Sequence, residues 1–252
     1  MSRTVIITAM PREVQPLARN WRRGSIHAGA RNFRTFEQGD CVVLVSGIGR
    51  RHAEAAARAA VEQFQPAWII SAGVAGALIR SLKVGSVVTP NVVVDAVDGA
   101  EYRCSLEPGT VVGGGVLVST EEIAGAQAKQ QLVERFHGLV VDMEAAAVAK
   151  VAQEAGICFR CVKAISDEAD FVMPPLNRFV DEQGNFQSGG FAAWAALRPW
   201  QWAKVAALGR NSSRAVKALC EWLETNLSEA THSPEVVTLK RTELPDVAPE
   251  RR

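Results

Sequence analysis

The chain has 252 residues, 48% of them hydrophobic, and its 28 lysines and arginines nearly balance its 27 aspartates and glutamates. This length is enough for one large α/β domain, or for two small ones, with a sizeable core. The balanced charge provides no basic field for nucleic acid or for an anionic membrane. No apolar run approaches the roughly 18 residues that a membrane span needs.

The N-terminus and the cysteines predict a cytoplasmic protein. The first residues, MSRTVIITAMPREV, lead directly into a strand and lack the layout of a signal peptide. The five cysteines are odd in number and scattered, which is typical of reduced thiols. The segment CFRC at 158–161 has CxxC spacing, but it lies in a predicted strand without a second pair. We therefore expect ordinary core cysteines there and no metal site.

The first half of the chain alternates apolar runs with helical patterns. The first predicted strands are TVIITAM, CVVLVSGIG and AWIISAGVAGAL, separated by helices over 12–21, with Pro11 in the first turn, and 52–64. Two long β segments follow, GSVVTPNVVVDAVDG and GTVVGGGVLVST, and then a helix over 121–136. A strand at 139–141, an alanine-rich helix and the strand CFRCVKAISDEAD complete the series. Strands separated by helices predict a mostly parallel sheet covered by helices.

Beyond residue 170 the pattern changes. A polar excursion with prolines and glycines precedes two predicted helices, which are broken near Pro199 and again around Asn211–Ser212. The tryptophans at 194, 200, 202 and 222 are expected to form core or subunit contacts. Residues 228–252 mix prolines and charges without periodicity, which predicts a flexible tail. We therefore predict one domain over 1–227, whose last part, 189–227, is helical.

Acidic residues follow three of the predicted strands. Glu13, Glu144 and Asp167 stand at strand ends, and ligands bind at the carboxyl ends of strands in open parallel sheets. The ends SGIGR and SAGVAG are small and glycine-rich, so that a ligand can approach backbone N–H groups closely. This pattern favours an enzyme that surrounds a neutral polar substrate with carboxylates.

Each acid also has a structural interpretation. Glu13 and Glu144 would stabilise a helix macrodipole from its first turn. Asp142 is expected to cap the helix that follows it, and Ser166 with Asp167 could form a cap or an Asx-turn. The GIG and GGG segments follow neither the dinucleotide nor the P-loop spacing. The coincidence of three acids at strand ends favours the functional interpretation over these.

Five segments resemble, in their order, the purine nucleoside phosphorylase / uridine phosphorylase superfamily: ITAMPREV, VSGIGRRHAEAAA, IISAGVAGALIRSLKVGSVV, VVDMEAAAVAKVA and VKAISDEAD. They are most similar to its nucleosidase branch, typified by methylthioadenosine/S-adenosylhomocysteine nucleosidase. The resemblance covers about residues 4–170. The segment after it, with MPPL, GNF and ALRPWQWAKVAALGRNSSRA, resembles the hopanoid-associated members, which act on adenosylhopane.

The resemblance implies a fold, an assembly and a set of site residues. The fold is a three-layer α/β/α domain with a central mixed sheet, and members are dimers or larger. Glu13 matches the glutamate that helps to activate water, Glu144 the glutamate that binds ribose hydroxyls, and Asp167 the acid that serves the purine N7. The substrate-binding residues that the resemblance implies are Ile48, Gly49, Val74, Ala75, Gly76, Ile123, Met143 and Ser166.

Three positions depart from the family pattern. Ile123 stands where an aromatic residue commonly contacts the base, so base stacking is expected to differ. Val74 occupies a position where serine is usual, and Lys163 replaces an arginine before the AISD run.

The chemistry of N-glycosidic cleavage suits these residue types. The bond breaks through an oxocarbenium-like sugar whose positive charge carboxylates stabilise. A purine anion leaves poorly, so a carboxyl group in a dry pocket that protonates N7 helps most. We therefore predict cleavage of a purine nucleoside of the adenine type without a metal or organic cofactor.

The acceptor is predicted to be water. AMPREV stands where the phosphorylases of the superfamily carry a PGDP-like phosphate loop, and a carboxylate beside the nucleophile repels phosphate. Arg12, Arg50 and Arg51 leave phosphorolysis open as the alternative. A non-catalytic nucleoside-binding protein is a second alternative, because a fold alone does not prove a function. The presence of all three acids disfavours it.

Overall fold

A computed structural model of the protein describes residues 3–105 and 114–230. Part of the segment GTVVGGGVLVST and residues 231–252 of the predicted tail lie outside the described residues. The described strands are β1 (Thr4–Thr8), β2 (Arg22–Ala28), β3 (Arg31–Gln38), β4 (Cys41–Val45), β5 (Trp68–Ala77), β6 (Val87–Val88), β7 (Val92–Asp95), β8 (Glu101–Arg103), β9 (Val116–Ser119), β10 (Gly138–Asp142) and β11 (Cys158–Asp167). The described α-helices are α1 (Arg50–Phe64), α2 (Ala126–Phe136), α3 (Ala145–Glu154), α4 (Ser188–Ala196) and α5 (Trp202–Ala230).

The strands form one mixed sheet. Its order is β2-β3-β4-β1-β5-β10-β9-β7-β8, and β11 pairs with β5 and β6. The pairs β1–β4, β1–β5, β5–β11, β9–β10 and β7–β9 are parallel, whereas β10 runs antiparallel to β5. The long strand β5 therefore has three neighbours, because β1 pairs with its first half and β10 with its end. This brings the ends of β1, β5, β10 and β11 close together.

Side-chain alternation along the strands produces two cores, one on each face of the sheet. In β1, Val5 and Ile7 pack with the alanines of α1 and α3, while Ile6 packs on the other face with Leu219 and Leu223 of α5. Successive residues of a strand point to opposite faces, so the apolar centre of this strand is buried on both sides. The result is the predicted three-layer α/β/α arrangement, and the predicted fold class is confirmed.

The predicted helix over residues 12–21 is wrong. The chain forms a 3₁₀ helix at Pro11–Glu13 and continues in turns as far as residue 20. Pro16 explains the difference, because proline lacks the N–H that a helix interior needs and clashes with the preceding turn. The following hairpin of β2 and β3 was not predicted, since its strands are largely polar and lie at the edge of the sheet.

The predicted helix break around Asn211–Ser212 is also wrong, whereas the break at Pro199 is confirmed. A 3₁₀ turn at Pro199–Gln201 precedes α5, which then continues without interruption to Ala230. The Ser213 hydroxyl donates a hydrogen bond to the Gly209 carbonyl at 2.9 Å, one helical turn earlier. This satisfies the serine inside the helix, and the packing of the apolar stripe on the sheet outweighs the weak helical propensity of the segment.

Two other predicted boundaries shift. The helix predicted over 121–136 begins at Ala126, and α5 extends three residues past the predicted start of the tail. Because α5 packs against β5 and β11 in the same core as β1, we propose that residues 1–227 form a single domain. Within residues 3–105 and 114–230, none of the helices combines the length and the apolar character needed to cross a bilayer.

Candidate active site

A cavity of about 1030 Å³ opens at the carboxyl ends of β1, β5, β10 and β11. Its polar part contains all three predicted acids, Glu13, Glu144 and Asp167. The cavity is also lined by eight of the other predicted or neighbouring positions: Ile48, Val74, Ala75, Gly76, Ile123, Asp142, Met143 and Ser166. The parallel strands β1, β5 and β11, together with β10, which runs antiparallel to β5, bring these residues together although they are far apart in sequence.

Gly49 is the predicted site residue that is absent from the cavity lining, but it contacts the site through its backbone. Its amide donates a hydrogen bond to Glu144 Oε1 at 2.7 Å, and its φ of 100° lies in a region that favours glycine. Gly49 therefore links the start of α1 to the acid that precedes α3.

The Glu13 carboxylate is buried and held by three neutral donors. The Thr8 hydroxyl and the Met10 amide donate to Oε2 at 2.7 and 2.9 Å, and the Val74 amide donates to Oε1 at 3.2 Å. Its side chain is fixed by groups from β1, the following turn and β5. A second pocket of about 10 Å³, comparable with the space that one water requires, is lined by Glu13 and Glu144 together with Lys163.

Glu144 is partly buried between β10 and α3. In addition to the Gly49 amide, the Met143 amide donates to its Oε2 at 3.3 Å. Desolvation, with the neighbouring Asp142 carboxylate second, raises the pKa of Glu144 to about 7, against the opposing effects of Lys163 and the Gly49 amide. Both protonation states of Glu144 are therefore accessible near neutral pH.

Asp142 caps α3, as predicted, and it is also the partner of a buried cation. The Ala145 amide donates to Asp142 Oδ2 at 2.9 Å. Lys163 Nζ lies 2.8 Å from the same carboxylate, and the Ser119 hydroxyl donates to Oδ1 at 2.5 Å. Burial lowers the pKa of Lys163, but Asp142, Cys161 and Glu144 together outweigh burial and raise this pKa above its ordinary value. Asp142 thus combines a structural cap with an ion pair that the sequence did not reveal.

Asp167 ends β11 and is almost fully buried. The Ser166 hydroxyl donates to its Oδ1 at 2.8 Å, and Lys129 Nζ donates to its Oδ2 at 2.5 Å. The structure therefore brings Ser166 to Asp167, as predicted, but it adds an ammonium group from α2. The expected carboxyl in a dry pocket is in fact half of an ion pair.

Sequence reasoning noted Lys163 only as a departure from the family pattern, and it did not single out Lys129. Lys163 lies in a strand between apolar neighbours, and Lys129 precedes the buried Leu132 by three residues on α2. A lysine on a core-facing helical stripe or in a buried strand indicates a paired charge, because an unpaired buried ammonium is costly. The sequence therefore indicated that each lysine has an acidic partner, but it did not indicate which acid this is.

Of the three arginines considered for phosphate, one lines the cavity. Arg12 does so, with its guanidinium 5.7 Å from the Phe186 ring centre, whereas Arg50 lies outside the lining and pairs with Asp95 at 2.7 Å. Arg51 is exposed on α1 and does not line the cavity. Arg12 is therefore the arginine of this group that an anion in the cavity could reach.

The prediction of core cysteines in the CFRC segment is confirmed for Cys161 and wrong for Cys158. Cys158 is exposed and Cys161 is buried, since residues three apart in β11 point to opposite faces of the sheet. Among the residues that the structure describes, no group of three or more histidine, cysteine, aspartate or glutamate side chains could hold a metal ion.

A family model described as the phosphorylase superfamily matches residues 3–107 and 99–188. The chain belongs to the phosphorylase superfamily. This confirms the resemblance of the five segments, and it assigns the strand ends that form the cavity to the part of the chain that the family model covers.

Curated members of the phosphorylase superfamily match the chain at moderate identity. The 5′-methylthioadenosine/S-adenosylhomocysteine nucleosidase of Chromohalobacter salexigens is 33% identical over 205 residues, which are 67% of this chain and 86% of that relative. The nucleosidase of the same name from Actinobacillus succinogenes is 30% identical over 66% of this chain and 85% of its own length.

Solved structures of two hydrolytic enzymes share the fold of this chain. The S-adenosylhomocysteine nucleosidase of Streptococcus pyogenes, in complex with 5-methylthiotubericidin, has a TM-score of 0.67 and 23% identity, covering 90% of this chain and 97% of that one. Futalosine hydrolase of Helicobacter pylori has the same TM-score of 0.67 at 18% identity, covering 90% of this chain and 98% of that one.

The raised pKa of Glu144 predicts a pH-dependent effect of Glu144→Gln on stability. The glutamate is protonated in both the folded and the unfolded chain below pH about 4.5, and its ionisation costs folding free energy as the pH rises to about 7. Glutamine removes that cost. The gain in free energy of unfolding should therefore grow by up to about 3 kcal/mol between pH 5 and pH 8, at 1.36 kcal/mol per pKa unit. Urea denaturation at the two pH values measures it, and an equal difference at both would contradict the raised pKa.

Proposed function

We propose that this protein is a nucleosidase that hydrolyses the N-glycosidic bond of a 5′-substituted adenine nucleoside. The observation that carries the proposal is the convergence of Glu13, Glu144 and Asp167 on one cavity at the strand ends. The curated relatives named 5′-methylthioadenosine/S-adenosylhomocysteine nucleosidase support the reaction class.

Glu13 and the small pocket beside it suit a water nucleophile. In this proposal Glu13 accepts the proton of the attacking water, and its fixed oxygens, held by Thr8, Met10 and Val74, keep it in position. Lys163 lines the same small pocket and donates to the Ser71 hydroxyl at 3.1 Å. Preorganised groups of this kind need no rearrangement as the reaction proceeds.

Glu144 and Met143 suit the sugar. Glu144 in its ionised form accepts hydrogen bonds from the ribose hydroxyls, and its negative charge stabilises the positive charge that develops on the ring. Met143 packs beneath the sugar, while Ile48 and the backbone of Val74, Ala75 and Gly76 bound it. Ile123 contacts the base in place of an aromatic residue, and Asp167, oriented by Ser166, serves the purine N7.

Phosphorolysis is the alternative reaction at the same site. Arg12 and Arg19 line the cavity and could attract phosphate. A phosphate that reached C1′ would, however, lie against the Glu13 carboxylate, and two negative charges about 4 Å apart repel by about 4 kcal/mol at an effective dielectric constant of about 20. The repulsion between Glu13 and phosphate favours water as the acceptor of the sugar.

Cleavage in phosphate-free buffer tests the acceptor. Wild-type protein incubated with 5′-methylthioadenosine should release adenine and the free reducing sugar at the same rate with and without phosphate. Glu13→Gln should slow this release by about 10²-fold or more, because it removes the proton acceptor for water. Chromatography of the products makes the measurement. Strict dependence on phosphate, with a sugar 1-phosphate as product, would replace hydrolysis by phosphorolysis.

The rest of the cavity wall favours a large apolar group on the 5′ carbon. Ligand pockets usually have volumes of about 300–1,000 Å³, so about 1030 Å³ leaves space beyond a nucleoside. The additional wall is formed by apolar side chains of the C-terminal segments, namely Met173, Leu176, Val180, Phe186, Phe191, Val205, Leu208 and Val216. Adenosylhopane, which the resemblance of this part of the chain suggests, has a 5′ group of this kind.

A series of 5′-alkylthioadenosines of increasing chain length tests this apolar wall. KM should fall as the chain lengthens, because each buried methylene contributes about 0.8 kcal/mol. Leu208→Asn should weaken this dependence, whereas Lys217→Asn, on an exposed position of the same helix, should not. A KM that is independent of chain length would restrict the substrate to small 5′ groups.

We also propose that the protein is a cytoplasmic homodimer or a larger homo-oligomer. The large apolar side chains around the start of α5 are exposed, with Leu197 at 77%, Trp200 at 71% and Trp202 at 57%. Exposed apolar patches of this type mark contact surfaces, and we assign this one to a second copy of the chain. The free cysteines at all five positions support a reducing compartment.

Trp200→Glu tests the proposed assembly. The charged side chain should prevent burial of the patch and shift the protein to a monomer in size-exclusion chromatography with light scattering. Gln63→Glu, on an exposed position of α1, is the control and should leave the mass unchanged. A monomeric wild-type protein, or a Trp200→Glu variant that stays oligomeric, would remove this surface from the assembly.

A further inference from the structure

Lys129 is a charged group inside the cavity for which the proposed mechanism has no role. Its side chain is only 3% exposed, and its Nζ donates to Asp167 Oδ2 at 2.5 Å and to the Glu168 carbonyl oxygen at 2.9 Å. Both Lys129 and Asp167 line the large cavity. A buried ammonium group therefore stands directly behind the carboxyl group assigned to the purine N7.

The backbone of β5 leaves space for this pair. A Cβ atom at Gly76 would lie 2.8 Å from Asp167 Oδ2 and 3.2 Å from Lys129 Nζ, so a side chain there would force the pair to shift. Glycine therefore lets the pair pack against the strand that bounds the proposed sugar site. The pair is part of the cavity floor and is more than a surface link between α2 and β11.

The hydrogen bonds to Asp167 bear on where its proton comes from. Ser166 and Lys129 both donate to the carboxyl group, one to each oxygen, so Asp167 acts as an acceptor towards both. A leaving-group acid must nevertheless deliver a proton to N7. Of the two described groups that donate to Asp167, the ammonium of Lys129 carries the proton that can be transferred to Asp167 when Asp167 protonates N7.

We propose, on the basis of the nucleosidase function above, that Lys129 stores the proton that Asp167 passes to the purine N7. As the C1′–N9 bond breaks, its electron pair moves into the purine and the N7–H bond forms with a proton delivered through Asp167. The ammonium of Lys129 transfers one proton to Asp167 and becomes a neutral amine. The proton released by the attacking water leaves through Glu13 to solvent, and solvent returns one to the amine.

This arrangement reconciles burial with acid catalysis. At rest the ammonium and the carboxylate neutralise each other, so that no unpaired charge is buried. During bond cleavage the pair becomes negative at the same moment as the sugar becomes positive. Lys129 acts through Asp167 and is in this sense a positioning and proton-storing residue.

The test compares two leaving groups on one sugar. Lys129→Met removes the proton and Lys129→Arg keeps the charge but does not give up its proton. Each variant is measured on 5′-methylthioadenosine and on the nitrophenyl riboside with the same 5′ group, whose leaving group departs without protonation. Both variants should lose about 10²-fold or more in kcat on the purine substrate and less than about tenfold on the nitrophenyl substrate.

Three controls separate proton storage from structural support. Asp167→Asn should show the same selective loss, and Lys129→Met combined with Asp167→Asn should be no slower than Asp167→Asn alone, because the two residues act as one unit. Glu144→Gln, which acts on the sugar, should slow both substrates alike. Thermal denaturation checks that each variant is folded, and the double variant restores neutrality if Lys129→Met is unstable.

The outcomes are distinguishable. Rescue of purine release by Lys129→Arg would limit Lys129 to orienting Asp167, and equal losses on both substrates would remove it from leaving-group protonation. Either result overturns this inference while the nucleosidase function stands. A wild-type protein that releases no purine from any nucleoside would overturn the proposed function, and the inference with it.

Discussion

The buried ion pair of Lys163 and Asp142 is the interaction on which the geometry of the site depends. The Asp142 carboxylate joins β11 through Lys163, β9 through the Ser119 hydroxyl and α3 through the Ala145 amide. A buried pair of this kind adds little net stability over apolar residues of the same size, whereas loss of one partner costs about 3–5 kcal/mol. The pair contributes mainly by fixing the position of the backbone around Asp142. It defines the point at which β10 ends and α3 begins, and Glu144 lies there.

Glu13, Glu144 and Asp167 lie in different electrostatic environments, and this difference supports the different roles proposed for them. Glu13 is surrounded by neutral donors, and Asp167 faces the ammonium of Lys129. Glu144 receives two backbone amides and shares the field of Lys163 with Asp142, so desolvation dominates and its pKa rises to about 7. Carboxylates gathered in one cavity repel each other, and the hydrogen-bond donors or the ammonium group beside each of these three acids reduce that repulsion.

The helix α5 connects the core of the domain to the substrate cavity. One of its stripes, with Ala215, Leu219 and Leu223, is fully buried against the sheet. Val205 and Leu208, nearer its N-terminus, line the cavity. Because one uninterrupted helix both packs on the sheet and lines the cavity, the way in which α5 packs on the sheet determines the shape of the apolar end of the cavity. Trp200 precedes this helix and Trp202 begins it, so the surface proposed for assembly lies near the helical residues that line the cavity.

The sequence alone determined the layered fold and the residues that meet at the site. Alternating strands and helices predicted the sheet, and the acids at strand ends predicted that Glu13, Glu144 and Asp167 would converge. The ends of parallel strands lie at one edge, which accounts for Glu13 after β1 and Asp167 at the end of β11. Glu144 reaches the same site from β10, which runs antiparallel to β5. The capping role of Asp142 was also predicted, since it depends on a contact three residues away. Contacts of this kind join residues that are close in the sequence, so they can be predicted from the sequence alone.

Only the tertiary structure decided which charges pair. Lys129 and Asp167 are 38 residues apart, and Lys163 meets Asp142 across two strands that are not sheet neighbours. It also decided that α5 continues through Asn211–Ser212 and that the predicted first helix does not form, because packing on the sheet outweighed propensity in one case and Pro16 interrupted the chain in the other. The charge state of a site depends on distances of a few ångströms between residues that are far apart in the sequence. Those distances are set only when the strands and helices that carry the residues have packed together.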